Sequence, residues 1–263
     1  MKASVARGAP GGQRFMAQRS AHAKIARVAT EITAIRENLE RVRERIARAA
    51  ARASRATDEI TLVAVSKTFP AEAVHAAYEV GLRHFGENRV QEFEGKQRKL
   101  AGLDAVWHFI GHLQRNKTRR AVQLFQRVDG VDNAALVNAM QAEAAAQEKR
   151  LPILIEVRLS DEPTKTGVAQ AELQALAESV MASANLKLRG LMGVPPYFEE
   201  TERTRPYFSK LREMRDALSK RLGIPLPVLS MGMSHDLEVA IEEGATEVRV
   251  GTALFGERAR PAT

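Results

Sequence analysis

Eight short runs rich in β-branched and aromatic residues recur along the chain, at 62–67, 83–86, 106–111, 126–130, 152–158, 187–193, 226–231 and 246–251. Helical patterns separate most of them, and Gly81, Gly223 and Gly244 stand where helix C-caps belong. Strands that alternate with helices pair in parallel. Eight such units predict an α/β fold, a single closed (β/α)8 barrel of the TIM type. An open doubly wound sheet is the alternative. No Gly-x-Gly-x-x-Gly follows the first strand, which counts against a dinucleotide fold. The last strand ends near Gly251, and no second domain is expected after it.

One element precedes the barrel. Ile25, Val28, Ile32, Ile35, Leu39, Val42 and Ile46 recur at spacings of three and four, with Arg and Glu on the other face. This pattern predicts a long amphipathic N-terminal helix, laid across the body of the protein in preference to a coiled coil. Residues 1–22 are basic, contain no acid and include Gly8-Ala-Pro-Gly-Gly12. They are expected to be a disordered extension, with the barrel domain spanning 23–263. A transit peptide has similar composition, and a true start at Met16 explains the segment equally well.

The net charge of +8 suggests a polyanion partner until its distribution is examined. Residues 1–56 hold 13 basic and 4 acidic side chains, and the remainder holds 27 and 28. The body is balanced, and aromatic residues make up only 5% of the chain, too few for a base-stacking platform. Nucleic acid is therefore not an expected partner. Neither is a membrane, since no run approaches the roughly 18 apolar residues of a span. With no cysteine, the chain has no disulfide or thiolate metal site and suits a reducing cytoplasm.

The chemistry is expected where the C-terminal strand ends converge. Strand one, Val63-Ala-Val-Ser-Lys-Thr68, delivers Lys67 to that mouth, ahead of Pro70. An amine there suits Schiff-base formation with a carbonyl, although a lysine at a strand end also snorkels its charge to water. Strand two runs into Gly86-Glu-Asn88, and Asn88 either reaches a ligand or caps the next helix. His108 and His112 on strand three are four apart, about 13 Å on a strand, too far to share a metal.

Strand seven leads into Ser230-Met-Gly-Met-Ser-His-Asp236, where Ser234 reads as an N-cap for the helix holding Leu237 and Ile241. Strand eight leads into Gly251 and Thr252. Glycine followed by a hydroxyl residue at a helix start leaves backbone N–H groups open to phosphate, and loops seven and eight are where barrels bind it. Arg249 faces away from Val248 and Val250, and a buried guanidinium needs a partner, either a ligand or an internal carboxylate such as Glu156. A reactive lysine, a phosphate cradle and a buried arginine together suggest pyridoxal 5′-phosphate (PLP).

Six blocks carry a resemblance. Val65-Ser-Lys-Thr68, His84-Phe-Gly-Glu-Asn88, Trp107-His-Phe-Ile-Gly111, Arg189-Gly-Leu-Met192, Ser230-Met-Gly-Met-Ser234 and Arg249-Val-Gly-Thr-Ala-Leu-Phe-Gly256 resemble, in order, the signature blocks of the PLP homeostasis proteins of YggS type. The similarity runs from about residue 25 to 258. It implies a barrel like the N-terminal domain of alanine racemase, with PLP held as an aldimine on Lys67. It further implies Ser234, Gly251 and Thr252 at the phosphate, Arg249 beside the pyridine nitrogen and Asn88 near the ring. Ser66, Met231 and Met233 match the pattern too and read as packing around the site.

The related racemases add a tyrosine from a C-terminal β domain, which this chain is not expected to supply. Of Tyr78, Tyr197 and Tyr207, only Tyr197 falls in a mouth loop. An arginine at the ring nitrogen, with a pKa above about 12, does not hand the pyridine a proton. The expected function is therefore a cytoplasmic PLP carrier or regulator that delivers cofactor to apo-enzymes without catalytic turnover; a monomer is favoured, with the oligomeric state left open by the sequence. An amino-acid racemase and a cofactor-free Schiff-base aldolase are the alternatives. Lys165, in the loop Asp161-Glu-Pro-Thr-Lys-Thr-Gly167, is a solvated lysine or a second amine that receives PLP during transfer.

Overall fold

The computed structural model describes residues 11–160 and 166–257, with side chains from residue 29. Eight parallel strands close into one barrel in sequential order. They are β1 (Thr61–Val65), β2 (His84–Glu87), β3 (Val106–Phe109), β4 (Arg127–Val131), β5 (Leu151–Val157), β6 (Leu186–Gly193), β7 (Val228–Met233) and β8 (Glu247–Val250). Closure is made by β1 pairing with β8, with Val63 opposite Arg249. The expected strands are thus all present, shifted by one or two residues at their ends.

Helix α1 (Gly11–Arg52) comes first, and α2 (Ala71–Glu79), α3 (Val90–Leu100), α4 (Thr118–Leu124), α5 (Ala134–Ala146), α6 (Leu173–Met181), α7 (Arg205–Leu222), α8 (Leu237–Glu242) and α9 (Thr252–Phe255) follow the strands in turn. Gly223 ends α7 with φ 64, as its C-cap position requires. Helix α1 begins earlier than the periodicity from Ile25 indicates. Residues 11–22, expected as disordered extension, continue the helix, because the Ala, Arg, Gln and Met of this stretch favour helix. Residues 1–10 lie outside the described residues.

The core lies between barrel and helices. Phe85, Phe93, Trp107, Phe109 and Phe125 form one chain of ring contacts with centroids 4.7–5.2 Å apart, tying β2 and β3 to α3. Each fully buried ring contributes about 1.5–3 kcal/mol. Helix α9 has four residues, too few to cover the closing strands. Helix α1 supplies the cover, burying Ile35, Leu39, Val42 and Ile46 against α2, α8 and α9. The helix laid across the body is therefore present. Among the described residues, no helix is long and apolar enough to cross a membrane.

Candidate functional site

Alternation along β1 sets the faces of the residues that lead to Lys67. Val63 lies beside Gly86 inside the barrel, whereas Ser66 turns outward and donates its hydroxyl to Glu87 at 2.7 Å. Lys67 follows two residues after the end of β1, in the turn that leaves the strand. It sits half-buried at the C-terminal rim. The following turn is strained, since Thr68, a β-branched residue, has φ 70.

Lys96 of α3 holds that turn in place. Its ammonium donates to the carbonyls of Ser66 and Phe69, both at 3.1 Å, and to Glu87 at 2.7 Å and Glu92 at 3.0 Å. Glu92 in turn accepts the Thr68 N–H. Burial pushes the Glu87 carboxyl up, and the Lys96 charge opposes that shift. Lys96→Met leaves Glu87 buried and uncompensated, so a loss of about 3–5 kcal/mol is expected in urea unfolding. Adding Glu87→Gln is expected to restore much of it, and additive losses would contradict the pairing.

The next wall comes from β7 and β8. The pairing register slips between Ser230 and Met233, and Gly232 there has φ 88. A Cβ at Gly232 would lie 2.5 Å from that of Ala240, so this bulge requires glycine. The bulge carries Ser234 over to the next loop, where its Oγ accepts N–H groups from Gly251 (3.3 Å) and Ala253 (3.2 Å). Ser234 therefore does not cap α8. Asp236 holds that position, and its carboxylate accepts the Met233 N–H at 2.7 Å. Gly251 abuts Val65, two residues before Lys67, and Phe255 stacks on Phe69 at 4.9 Å. Lys67, Ser234, Gly251 and Thr252 thus share one stretch of rim.

Arg249 is 4% exposed and donates to Ser230 Oγ at 2.8 Å and to the Gly193 carbonyl at 3.1 Å. The Glu156 partnership considered from sequence is not formed, since Glu156 accepts Thr166 Oγ1 at 2.8 Å instead. Burial pulls the Arg249 pKa down, against the fields of Glu247, Asp129, Glu156 and Asp236. Two of its five N–H donors are engaged by protein, which leaves others for a ligand. Beneath it the barrel is a polar ladder. Ser230 donates to Glu247 at 2.7 Å, Arg127 bridges Glu247 and Asp129, and His108 lies 3.6 Å from Asp129 and 2.9 Å from His84.

His108 lies on β3 inside the barrel, whereas His112, expected on the same strand, lies beyond the end of β3 and within 3.2 Å of Asp132. His108, Asp129 and Glu247 lie close enough to hold a cation. The Arg127 guanidinium already fills that role by donating to both carboxylates.

Asn88 does not cap α3, whose N-cap is Arg89. It lines a cavity of about 350 Å³ with Arg89, Gly111, His112 and Lys117. A Cβ at Gly111 would lie 2.6 Å from the Asn88 carbonyl, so glycine lets the loops after β2 and β3 close on each other. Tyr197 stacks on His235 at 5.3 Å and stays 79% exposed. Met231 is buried, as a packing role requires, whereas Met233 is exposed. Lys165 lies outside the described residues.

The sequence reading missed Lys96, Arg127, Asp129 and Glu247 as members of this assembly. Their signals are charged residues on faces where apolar ones belong: Lys96 in register with Phe93 and Leu100, and charges at alternate positions of β4 and β8.

The family described as "Alanine racemase, N-terminal domain" matches residues 32–259. The chain is 48% identical over 222 residues to a protein of Aquifex aeolicus named "Pyridoxal phosphate homeostasis protein", covering 84% of this chain and 97% of the relative. The protein of that name from Pseudomonas aeruginosa is 47% identical over 227 residues, covering 86% and 97%. This chain belongs to the pyridoxal phosphate homeostasis protein family. A similar solved structure is PipY of Synechococcus elongatus, described with PLP bound, at 37% identity and TM-score 0.75, covering 84% of this chain and 100% of PipY. Alanine racemase of Clostridium difficile, at 12% identity and TM-score 0.70, covers 88% of this chain and 58% of its own, and shows the shared barrel.

Proposed function

We propose that this chain holds PLP as a Schiff base on Lys67, buffers it, and delivers it to PLP-dependent apo-enzymes without turnover of its own. The observation that carries the reading is the shared rim, where the Gly251 loop, whose N–H groups converge on Ser234, abuts Val65 two residues before Lys67. The group's aldehyde supplies an electrophile that an amine captures reversibly, with loss of water. Lys67 provides that amine. Ser234, Gly251 and Thr252 bind the phosphate, Arg249 donates a hydrogen bond to the ring nitrogen, and Asn88 borders the ring. An arginine donates a hydrogen bond there without yielding its proton, which suits retention over carbanion chemistry. Exposed Tyr197, stacked on His235, also supports a carrier over a two-base racemase.

The test is the near-visible spectrum of purified protein with PLP, before and after borohydride, followed by peptide mapping. A band that reduction fixes on Lys67, with no D-amino acid formed in coupled assays, is expected. Sustained turnover would favour the racemase. Trapping only with a sugar or keto acid, and no band with PLP, would favour the aldolase. Delivery predicts that loaded protein reactivates an apo-enzyme. A monomeric state and a cytoplasmic location complete the proposal.

A further inference from the structure

We infer that Arg45 of α1 is a positioning residue for the phosphate-binding loops, so that the N-terminal helix is a working part of the PLP site. This rests on the function proposed above. Arg45 donates through Nε and Nη2 to both carboxylate oxygens of Glu238, at 2.6 and 2.7 Å, and through Nη1 to the Ser234 carbonyl at 3.0 Å. Ser234 is the residue whose hydroxyl gathers the Gly251 and Ala253 N–H groups. Two turns earlier on the same helix face, Asn38 donates to the Leu254 carbonyl at 2.8 Å. Helix α1 therefore grips both loops, at points roughly 10 Å apart along a rigid rod.

The loops cannot supply that rigidity themselves. Helices α8 and α9 have six and four residues, too short to be stable alone. An anion cradle built from backbone N–H groups binds well only if they already converge. Arg45 fixes the carbonyl of the residue on which they converge. Loss of Arg45 should therefore weaken ligands that carry a phosphate and spare those that do not.

Arg45→Gln is compared with wild type and with Arg52→Gln. Arg52 pairs with Glu242 of α8 at 2.6 Å, in the same interface but away from the loops. PLP affinity is expected to fall roughly tenfold in Arg45→Gln, and pyridoxal affinity to change less than about twofold. Arg52→Gln should match wild type for both. Without ligand, hydrogen exchange at the Gly251 and Ala253 amides should quicken in Arg45→Gln alone. Equal weakening of PLP and pyridoxal, or the same pattern in Arg52→Gln, would reduce Arg45 to a structural contact. Unchanged exchange in Arg45→Gln would overturn the positioning role outright. Wild-type protein that binds neither ligand, with the exchange difference intact, would remove the proposed function and leave the positioning role standing.

Discussion

Lys67→Ala protein is expected to bind PLP at least about a hundredfold more weakly than wild type, a loss of about 2.8 kcal/mol or more. The reducible near-visible band should disappear with it. The substitution removes the amine that holds the carbonyl carbon. It leaves the N–H groups of Gly251 and Ala253, the Ser234 hydroxyl and the buried Arg249 where they are, because their hydrogen bonds run to one another and to Ser230 and Gly193. Residual binding should therefore be non-covalent and should still require the phosphate. Spectral titration and equilibrium dialysis of folded variant would measure this. A variant that kept the reducible band at wild-type affinity would move the reactive amine to another lysine.

The second large effect is expected inside the barrel. Arg127 is 13% exposed and sits between Asp129 and Glu247, which are 0% and 3% exposed. Arg127→Leu leaves both carboxylates without their cation and should lower unfolding stability by about 3–5 kcal/mol, or roughly 10 °C in Tm. The sign of the pH dependence follows from Asp129. Burial pushes its carboxyl up, but the Arg127 charge and a His108 contact outweigh that and hold it at about 2. A folded pKa below the ordinary 3.8 gives stability that is present above about pH 4 and lost as pH falls toward 2. In the variant burial acts without Arg127, so the deficit should be largest near neutral pH and narrow on acidification. Urea unfolding at pH 7.5 and 4.5 would show it. A deficit below about 1 kcal/mol, or one independent of pH, would mean that the ladder does not hold the barrel interior as described.

The ladder also bears on ligand binding. Glu247 accepts the Ser230 hydroxyl proton, so the Ser230 oxygen must accept from Arg249. Arg249 is thereby fixed as a donor beneath the mouth, where position in the strand alone left it open to pairing with Glu156.

The sequence by itself determined the eight strands, their parallel order, and the presence of Lys67, Ser234, Arg249, Gly251 and Thr252 at one end of the barrel. These follow from local periodicity and from the rule that alternate residues of a strand share a face, so nearby residues carry the information. It also determined that the helix ending near Arg52 has an apolar face to bury. Only the tertiary structure decided which charges meet. Arg127 and Glu247 lie on strands β4 and β8, Lys96 reaches from α3 back to the Lys67 turn, and Arg45 reaches the carbonyl of Ser234. Such pairs are set by barrel closure and by where α1 crosses α8 and α9. No periodicity records them, because each partner's own neighbourhood looks the same whether or not the other arrives.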